Sequence, residues 1–331
     1  MLTTRSLRTL AVGAALAVLL AACGSSGSSA TTSNTASTGT GGSGQGTVAA
    51  ALVLGGPPEC PTRPYCQQGL IKTYDAHFKS FKPLDAGGPL TVAALKNGSI
   101  GIGLLFTTSG AIVGNGWVLL KDDKHLQPAD NVTPVVNDTV VNAYGADLKT
   151  LVDGVSAKIT TEGLTELNKQ TDIDQQDPDT VAQAWLKKEN LLPSTTGTAK
   201  SGPTIVVGSA NFTEDETLAD IYADLLSANG YPVTKKLSIG SREVYYPALK
   251  SGQIDFVPDY AGSLLTFVDP SKAATTDSAT NASELAQVLK GSGVTPFASA
   301  PAEDINGFVV TKATADKYHL TELSDLSKPA S

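Results

Sequence analysis

The sequence predicts an α/β protein whose two lobes face a cleft. The stretches "VAALKNGSIGIGLLFTTSGAI" (92–112) and "YPALKSGQIDFVPDYAGSLL" (246–265) share one pattern: a helix end, a Gly turn, a short apolar strand and a loop. Further upstream, "ALVLGG" (51–56) and "TIVVGS" (204–209) are both apolar strands that end in a Gly turn. Because strands that alternate with helical patterns favour parallel pairing through crossover helices, we expect two similar β-α-β-α-β units.

These two units, near 51–120 and 204–270, predict a ligand site between the lobes. Ligands of open α/β sheets lie beyond the carboxyl ends of the strands, and the loops "LLFTTSG" and "PDYAGS" follow such ends. Phe106 and Tyr260 occupy equivalent places in the two loops, and so do Ser109 and Ser263. Each lobe would then present one aromatic ring and one hydroxyl. The spacing alone is equally compatible with ordinary core or rim aromatics.

Charge and composition exclude some functions. The 331-residue chain has a net charge of −8, with 32 acidic against 24 basic side chains. A nucleic-acid partner would need a basic face, so none is expected. The 3 histidines show no ligand spacing, and we expect neither a metal nor a cofactor.

The N-terminus is typical of an exported protein. Arg5 and Arg8 precede the apolar run "TLAVGAALAVLLAA", which predicts a signal peptide over 1–22. The stretch "LAAC" resembles the bacterial lipoprotein cleavage box, in which Cys23 would be lipidated; a plain secretory signal with an incidental Cys is the alternative. Residues 23–48 are rich in Gly, Ser and Thr and predict a flexible linker. We therefore expect an extracytoplasmic protein that a lipid anchors to the cell membrane.

Two further cysteines, Cys60 and Cys66, lie in "CPTRPYC". Apart from Cys23 these are the two cysteines of the sequence, and in a chain outside the cytoplasm such a pair favours a disulfide. The loop that it closes is small, so its stabilisation is about 2 kcal/mol on the loop-closure argument.

Six motifs cover nearly all of the chain from about residue 51 to its end. They are "GGPPECPTRPYCQQGLIKTY", "FKPLDAGGPL", "LLKDDKHLQPADNVTPVV", "VGSANFTEDE", "GSREVYYPALKSGQIDFVPDYAGSLL" and "DINGFVVTKATADKY". Together they resemble the osmoprotectant-binding family of ABC-importer substrate-binding proteins, which bind glycine betaine, choline, carnitine or proline betaine. The resemblance implies the type II periplasmic-binding-protein fold, with a hinge and an interlobe cleft.

The order of the motifs implies a circular permutation. The family usually begins with the "VGSANFTE" strand, which comes late here, so 51–192 and 203–331 look exchanged. The polar stretch 193–202 would join the former ends. We expect the lobes and crossings as follows: one lobe from 49–127 plus 306–331, the other from 133–192 plus 203–305, with crossings near 126–132 and 300–307.

The resemblance also implies an aromatic cage, which suits a quaternary ammonium group because that group cannot donate hydrogen bonds. Tyr260, Phe308 and Phe106 match aromatic cage positions of the family. Asp130 falls at another cage position, where a carboxylate would pair directly with the ligand cation.

The carboxylate end of a betaine needs different residues. Arg63 matches the family arginine that grips a ligand carboxylate, although a surface arginine on a disulfide loop is the alternative. Ser263 would add a hydroxyl donor, and Asn211 and Tyr246 complete the expected ligand contacts. Arg242, by contrast, is expected to cap its helix and to be solvated.

These expectations favour a solute-binding component of an ABC importer over an enzyme. No "GxSxG", "HExxH" or phosphate-loop motif occurs in the sequence. The expected partners are a small quaternary ammonium solute and a membrane permease, and the protein is expected to be a monomer. A two-lobed enzyme or a ligand sensor of the same fold is the alternative.

Overall fold

The computed structural model describes residues 46–195 and 197–330. The signal peptide expected over 1–22 and the lipidation expected at Cys23 lie outside the described residues. Among the described helices, none combines the length and the apolar character that a membrane span needs. The strands in the described ranges are β1 Val53–Gly56, β2 Ser80–Pro83, β3 Ile102–Phe106, β4 Val118–Leu120, β5 Val132–Asn137, β6 Ile205–Gly208, β7 Val233–Lys236, β8 Phe256–Tyr260, β9 Val294–Pro296 and β10 Asn306–Val310.

The helices lie between these strands and cover the sheets. Those in the described ranges are α1 Val48–Ala51, α2 Gln67–Tyr74, α3 Pro89–Lys96, α4 Gly110–Gly114, α5 Asp138–Ser156, α6 Thr161–Asn168, α7 Pro178–Lys188, α8 Thr213–Ala228, α9 Arg242–Lys250, α10 Ala261–Val268, α11 Ser278–Leu289 and α12 Lys312–Tyr318. A π-helical turn, Lys169–Ile173, follows α6, and short 3₁₀ turns occur at Cys60–Thr62 and Leu323–Ser327.

Two five-stranded sheets form the two lobes. Lobe I contains the sheet β2-β1-β3-β10-β4, and lobe II contains the sheet β7-β6-β8-β5-β9. In each lobe the first three strands pair in parallel, and the other two pair antiparallel beside them. The predicted two-lobed α/β class is confirmed, and the predicted repeat appears as the same strand order in both sheets.

Apolar side chains cover both faces of each sheet. β5 shows this most clearly, because all six of its residues are buried. α8 is the most enclosed helix of lobe II, with Leu218, Ile221, Tyr222 and Leu225 completely buried. In lobe I, Leu54, Ile102 and Phe308 belong to a buried cluster that includes the disulfide between Cys60 and Cys66, which was predicted from the sequence.

The chain crosses between the lobes twice, from β4 to β5 and from β9 to β10. The two crossing segments pair with each other, since Asn131 and Glu303 form an antiparallel bridge. The Val132 N–H donates to the carbonyl of Ala302 (3.1 Å), and the Asp304 N–H donates to the carbonyl of Asp130 (3.1 Å). The crossings therefore form one hydrogen-bonded ribbon.

The lobes also touch beside the cleft, where α4 of lobe I packs against the end of α6 and the π-helical turn of lobe II. Gly110 makes this approach possible, because a Cβ there would lie 2.4 Å from the Lys169 nitrogen. The amide of Asn168 donates to the carbonyl of Thr108 (2.8 Å), and this bond joins lobe II to lobe I.

The stretch expected to be a permutation joint packs against the fold. The Gly197 N–H donates to the carbonyl of Ala228, and the Lys200 N–H donates to the carbonyl of Gly230, both at 2.8 Å. The two ends of the described chain lie side by side, because the Ala330 N–H donates to the carbonyl of Gly46 (2.8 Å). Helix α1 begins at Val48, the last residue of the expected linker, and Val48 is buried.

Candidate functional site

Three adjoining cavities form a cleft at the carboxyl ends of the β3 and β8 strands. Cavity A has a volume of about 260 Å³ and is lined by Ala210, Asn211, Phe212, Asp215, Ser241, Arg242, Tyr245 and Tyr260. Cavity B, of about 480 Å³, shares Arg242 with it and includes Tyr65, Asp130, Ser263 and Phe267. Cavity C, of about 200 Å³, shares Tyr65, Asp130 and Ser263 with cavity B and adds Phe106, Asp304 and Asn306.

Aromatic rings from both lobes face this cleft. Tyr65 and Phe106 of lobe I are 44% and 41% exposed, and Phe212 of lobe II is 44% exposed. Large apolar side chains are normally buried, so a group of exposed rings at one cleft is typical of a ligand-binding surface. Phe106 and Tyr260 are the last residues of β3 and β8, which explains why the repeat placed both at the cleft.

Tyr260 is held from two sides. Its ring is 7% exposed and stacks on Phe212, with centroids 6.3 Å apart and planes 27° from parallel. Its hydroxyl donates to the carboxylate of Glu214 in the first turn of α8, and its backbone N–H donates to Asp259 (2.7 Å). The ring therefore has a fixed orientation in the wall of cavity A.

Asp130 and Ser263 form a hydrogen-bonded pair at the bottom of cavities B and C. The Ser263 N–H and hydroxyl donate to the two oxygens of Asp130, at 2.9 and 2.5 Å. Burial raises the pKa of Asp130 to about 6, and the bonds from Ser263 partly oppose that rise. Gly262 allows this approach, because a Cβ there would lie 2.5 Å from the Ala129 carbonyl oxygen.

Arg242 is part of the cleft wall and not a solvated cap. Its Nη2 and Nε donate to the fully buried Asp259 at 2.6 and 3.1 Å, and the Tyr245 hydroxyl donates to the same carboxylate at 2.8 Å. Its guanidinium also lies 6.0 Å from the centre of the Phe267 ring. Opposite charge within hydrogen-bonding distance thus fixes the one guanidinium that lines cavities A and B.

Acidic groups outnumber cationic ones in the described part of the cleft, where the two cationic side chains are Arg242 and Lys272; Lys272 lines cavity B and pairs with Glu284 (3.2 Å). Five carboxyl groups lie in or directly behind the walls of the cleft: Asp130, Glu214, Asp215, Asp259 and Asp304. Burial is the main cause that raises the pKa of Asp215 and Asp304 well above the ordinary value. Oδ1 of Asp215, a residue only 1% exposed, has no hydrogen-bond partner among the described residues. Because the raised pKa values favour the neutral forms of Asp215 and Asp304, the negative charge at the cleft surface comes mainly from Asp130, and this charge favours a cationic ligand.

Three of the expected ligand residues lie elsewhere. Phe308 is 1% exposed and packs in the core of lobe I; it borders a neighbouring cavity of about 470 Å³ but lines none of cavities A, B and C. Arg63 is exposed and pairs with Glu59 (3.0 Å), and it lines none of the three cavities. Tyr246 packs against Phe267 in a buried cluster, and the preceding residue, Tyr245, lines cavity A instead. By contrast, five of the expected residues do line the cleft: Phe106, Asp130, Asn211, Tyr260 and Ser263.

Several cleft residues were not among the expected ligand contacts, including Tyr65, Phe212, Arg242 and Tyr245, although the Tyr245–Tyr246 pair predicts that one of the two approaches the cleft. The sequence contains a signal for Tyr65 and Phe212, because Tyr65 directly precedes Cys66 and Phe212 directly follows Asn211. Arg242 had none, because its partner Asp259 is 17 residues away in sequence.

The fold and the cleft together define a class: two-lobed α/β proteins that take up a small solute between their lobes. Within that class, residues 47–188 and 203–331 match the family described as "Substrate binding domain of ABC-type glycine betaine transport system". Because this match covers most of the chain, the protein belongs to that family.

Individual relatives match over shorter stretches. The chain is 34% identical over 121 residues to the "Carnitine transport binding protein OpuCC" of Listeria monocytogenes, which is 37% of this chain and 38% of the relative. It is 34% identical over 137 residues to the "Glycine-betaine-binding protein" of Pseudomonas aeruginosa, covering 41% and 43%. The chain thus spans about two fifths of the length of the curated relatives it matches. A "glycine betaine/carnitine/choline ABC transporter" structure matches at 25% identity with a TM-score of 0.37, covering 43% of this chain and 51% of that one.

Proposed function

We propose that this protein is the extracytoplasmic solute-binding component of an ABC importer and that it binds quaternary ammonium osmoprotectants. Glycine betaine is the first candidate, and choline, carnitine and proline betaine are the others. The observation that carries the proposal is the cleft itself, where exposed rings from both lobes lie close to the carboxylate of Asp130.

The chemistry of the cationic head supports this choice. A trimethylammonium group cannot donate hydrogen bonds, so it is held by aromatic faces, each of which contributes about 0.5–2 kcal/mol. Phe212 and Tyr260 offer such faces in lobe II, and Tyr65 and Phe106 offer them across the cleft in lobe I. Because the rings belong to both lobes, we expect the ligand to favour a closed state.

For the carboxylate end of a betaine, we propose Arg242 in place of Arg63. Nε and Nη2 of Arg242 contact Asp259, which leaves Nη1 as the arm that would meet a ligand carboxylate. Since Asp259 already neutralises this guanidinium, a ligand carboxylate gains less from it than from a free arginine. A ligand without a carboxylate, such as choline, is therefore expected to bind at least as well as it does to an all-aromatic cage.

Calorimetry with a matched set of ligands tests the proposal. Choline, glycine betaine and carnitine are compared with the neutral carbon analogue of choline, in which a tert-butyl group replaces the trimethylammonium group. We expect the charged compounds to bind and the analogue of the same shape to bind at least tenfold more weakly, which corresponds to about 1.4 kcal/mol. Equal affinity for choline and its analogue would contradict a cation site.

We also infer that the ligand is bound and released without chemical change, as the family membership supports. Proton NMR of glycine betaine after prolonged incubation with the protein should show only the starting compound. A new signal that depends on the protein would favour the enzyme alternative.

Membrane attachment through Cys23 and docking on a permease remain proposals that rest on the sequence and the family. Metabolic labelling with a radioactive fatty acid tests the first of these. We expect label in the wild type and none in Cys23→Ala. Label in both would show that the fatty acid is attached at a residue other than Cys23.

The circular permutation is a further proposal. It is supported by the match in two blocks, 47–188 and 203–331, and by the adjacency of Gly46 and Ala330. A rearranged chain that begins at Pro203 and joins Ala330 to Gly46 should fold and bind with unchanged affinity, because the packing is retained. Failure of that chain to fold would contradict the proposal.

A further inference from the structure

Tyr65 presents an exposed ring on a backbone that is fixed at successive residues. The ring is 44% exposed and lines cavities B and C, so packing alone does not fix its position. The Pro64 carbonyl lies so close to helix α2 that a Cβ on Gly69 would be 2.1 Å from its oxygen. Cys66 is 2% exposed and belongs to the buried disulfide. Between these fixed points, the carbonyl of Tyr65 accepts a hydrogen bond from the side-chain amide of Gln127 (3.0 Å).

Gln127 lies on the first crossing segment and is 4% exposed. The two ends of its amide have different partners: Nε2 donates to the Tyr65 carbonyl, and Oε1 accepts from the amide of Asn306 at the start of β10 (3.3 Å). The Tyr65 carbonyl can only accept, so the nitrogen of the Gln127 amide must face it. This side chain therefore joins the disulfide loop both to the crossing segment and to the sheet of lobe I.

The backbone of Gln127 is itself held by Asp122. The N–H of Gln127 donates to Oδ2 of Asp122 (2.8 Å), and the N–H of Leu126 donates to Oδ1 of the same carboxyl group (2.9 Å). The Tyr74 hydroxyl at the end of α2 also donates to Oδ1. Because both its backbone and its side chain are hydrogen-bonded, Gln127 is a fixed point of lobe I from which the Tyr65 backbone is held.

We propose that Gln127 is a positioning residue of the ligand site: its amide holds the disulfide loop at Tyr65 and thereby sets where the Tyr65 ring meets the ligand. A ring that is already in place contributes more to affinity than a mobile one, because binding does not have to order it. The effect on binding rests on the proposed function, whereas the anchoring of the loop does not. Gln127 also lines cavity C, so direct contact with the ligand is the alternative that the experiments must separate.

The rate at which dithiothreitol reduces the disulfide tests the anchoring without any ligand. Cys60 and Cys66 are 0% and 2% exposed, so reduction requires the loop to open. Gln127→Met keeps an unbranched side chain of similar length and removes both hydrogen bonds of the amide. We expect reduction to become about 2- to 10-fold faster in this variant, and an unchanged rate would overturn the anchoring. If Gln127→Met does not fold, Gln127→Asn replaces it, because its shorter side chain cannot reach the Tyr65 carbonyl.

Two control variants separate local opening from a general loss of stability. Gln68→Met changes an exposed residue of α2 close to Cys66, and it should leave the rate unchanged. Ser156→Ala removes a buried hydrogen bond with the Tyr222 hydroxyl in lobe II, so it should lower the free energy of unfolding without faster reduction. Equal acceleration in Ser156→Ala and Gln127→Met would show that reduction follows global unfolding, and it would overturn the local anchoring.

A double-mutant cycle with choline as the probe tests the effect on the ligand. Tyr65→Leu removes the ring and keeps an apolar side chain, and we expect it to weaken choline binding about 2- to 30-fold. Gln127→Met alone should weaken binding about 2- to 10-fold, but in the Tyr65→Leu background it should add about twofold or less. Additive losses would show that Gln127 does not act through the Tyr65 ring and would overturn its positioning role. If the wild type binds no choline, the proposed function fails, while the reduction rates still decide the anchoring of the loop.

Discussion

Replacing Phe212 by leucine separates the aromatic face from the apolar surface of this side chain. Phe212 is 44% exposed and stacks on Tyr260, so the substitution removes a ring at the mouth of cavity A and keeps an apolar side chain of similar reach. If a trimethylammonium group rests on that ring, the loss is one cation–π contact of about 0.5–2 kcal/mol. Affinity for choline and glycine betaine should then fall about 2- to 30-fold.

Folding should change much less than binding in this variant. The ring is half-exposed, and the loss of one aromatic pair costs about 1 kcal/mol or less. Calorimetry gives the affinity, and chemical denaturation gives the free energy of unfolding. Leu90→Ala is the control, since Leu90 is 61% exposed on α3 and lines none of the three cavities. Phe212→Leu that binds choline as tightly as the wild type would refute the cation–π reasoning at this position.

Three further predictions concern the cleft and its supports. Affinity for choline should rise as the pH increases through about 6 and Asp130 ionises, and calorimetry between pH 5 and 8 should show no such rise in Asp130→Asn. Gly262→Ala should lower the free energy of unfolding by about 2 kcal/mol or more through a backbone clash, whereas Gly154→Ala, where a Cβ meets open space, should be neutral or slightly stabilising in the same denaturation assay. Arg63→Ala should leave glycine betaine binding unchanged, whereas Arg242→Ala should weaken it; a loss confined to Arg63→Ala in calorimetry would restore the original assignment.

The architecture was predictable because its signals are local and repeated. The Gly turns at Gly98 and Gly252 stand at equivalent places before β3 and β8, and both have a positive φ of 72° that favours glycine. Apolar runs such as "TIVVGS" and the helical stretches between them then gave the β-α-β-α-β order. The pairing of the two crossing segments has no such signal, because Asn131 and Glu303 are far apart in sequence.

The site was only partly predictable, because a motif gives a position along a strand and not the direction of its side chain. Phe308 pairs with Leu104 and Leu120 across β10, and all three side chains are buried in the core of lobe I. Phe106 is also a phenylalanine, but it lies at the end of the neighbouring strand β3, where its side chain is exposed at the cleft. Arg242 directly follows Ser241 at the start of α9, and this position predicts a solvated residue of the helix cap. The structure differs because β8 brings Asp259 within hydrogen-bonding distance of Arg242.

The two places where the lobes touch restrict how they can move. One is the hydrogen-bonded ribbon of the crossing segments at Asn131 and Glu303, and the other is the backbone contact of Gly110 with Lys169. Two separate attachments define a single line, and a rigid lobe attached along one line can only rotate about it. Relative sliding and twisting would break one attachment or the other. We therefore expect the cleft to close by rotation about this line, so that a ligand that draws the rings of the two lobes together moves each part of a lobe in proportion to its distance from the axis.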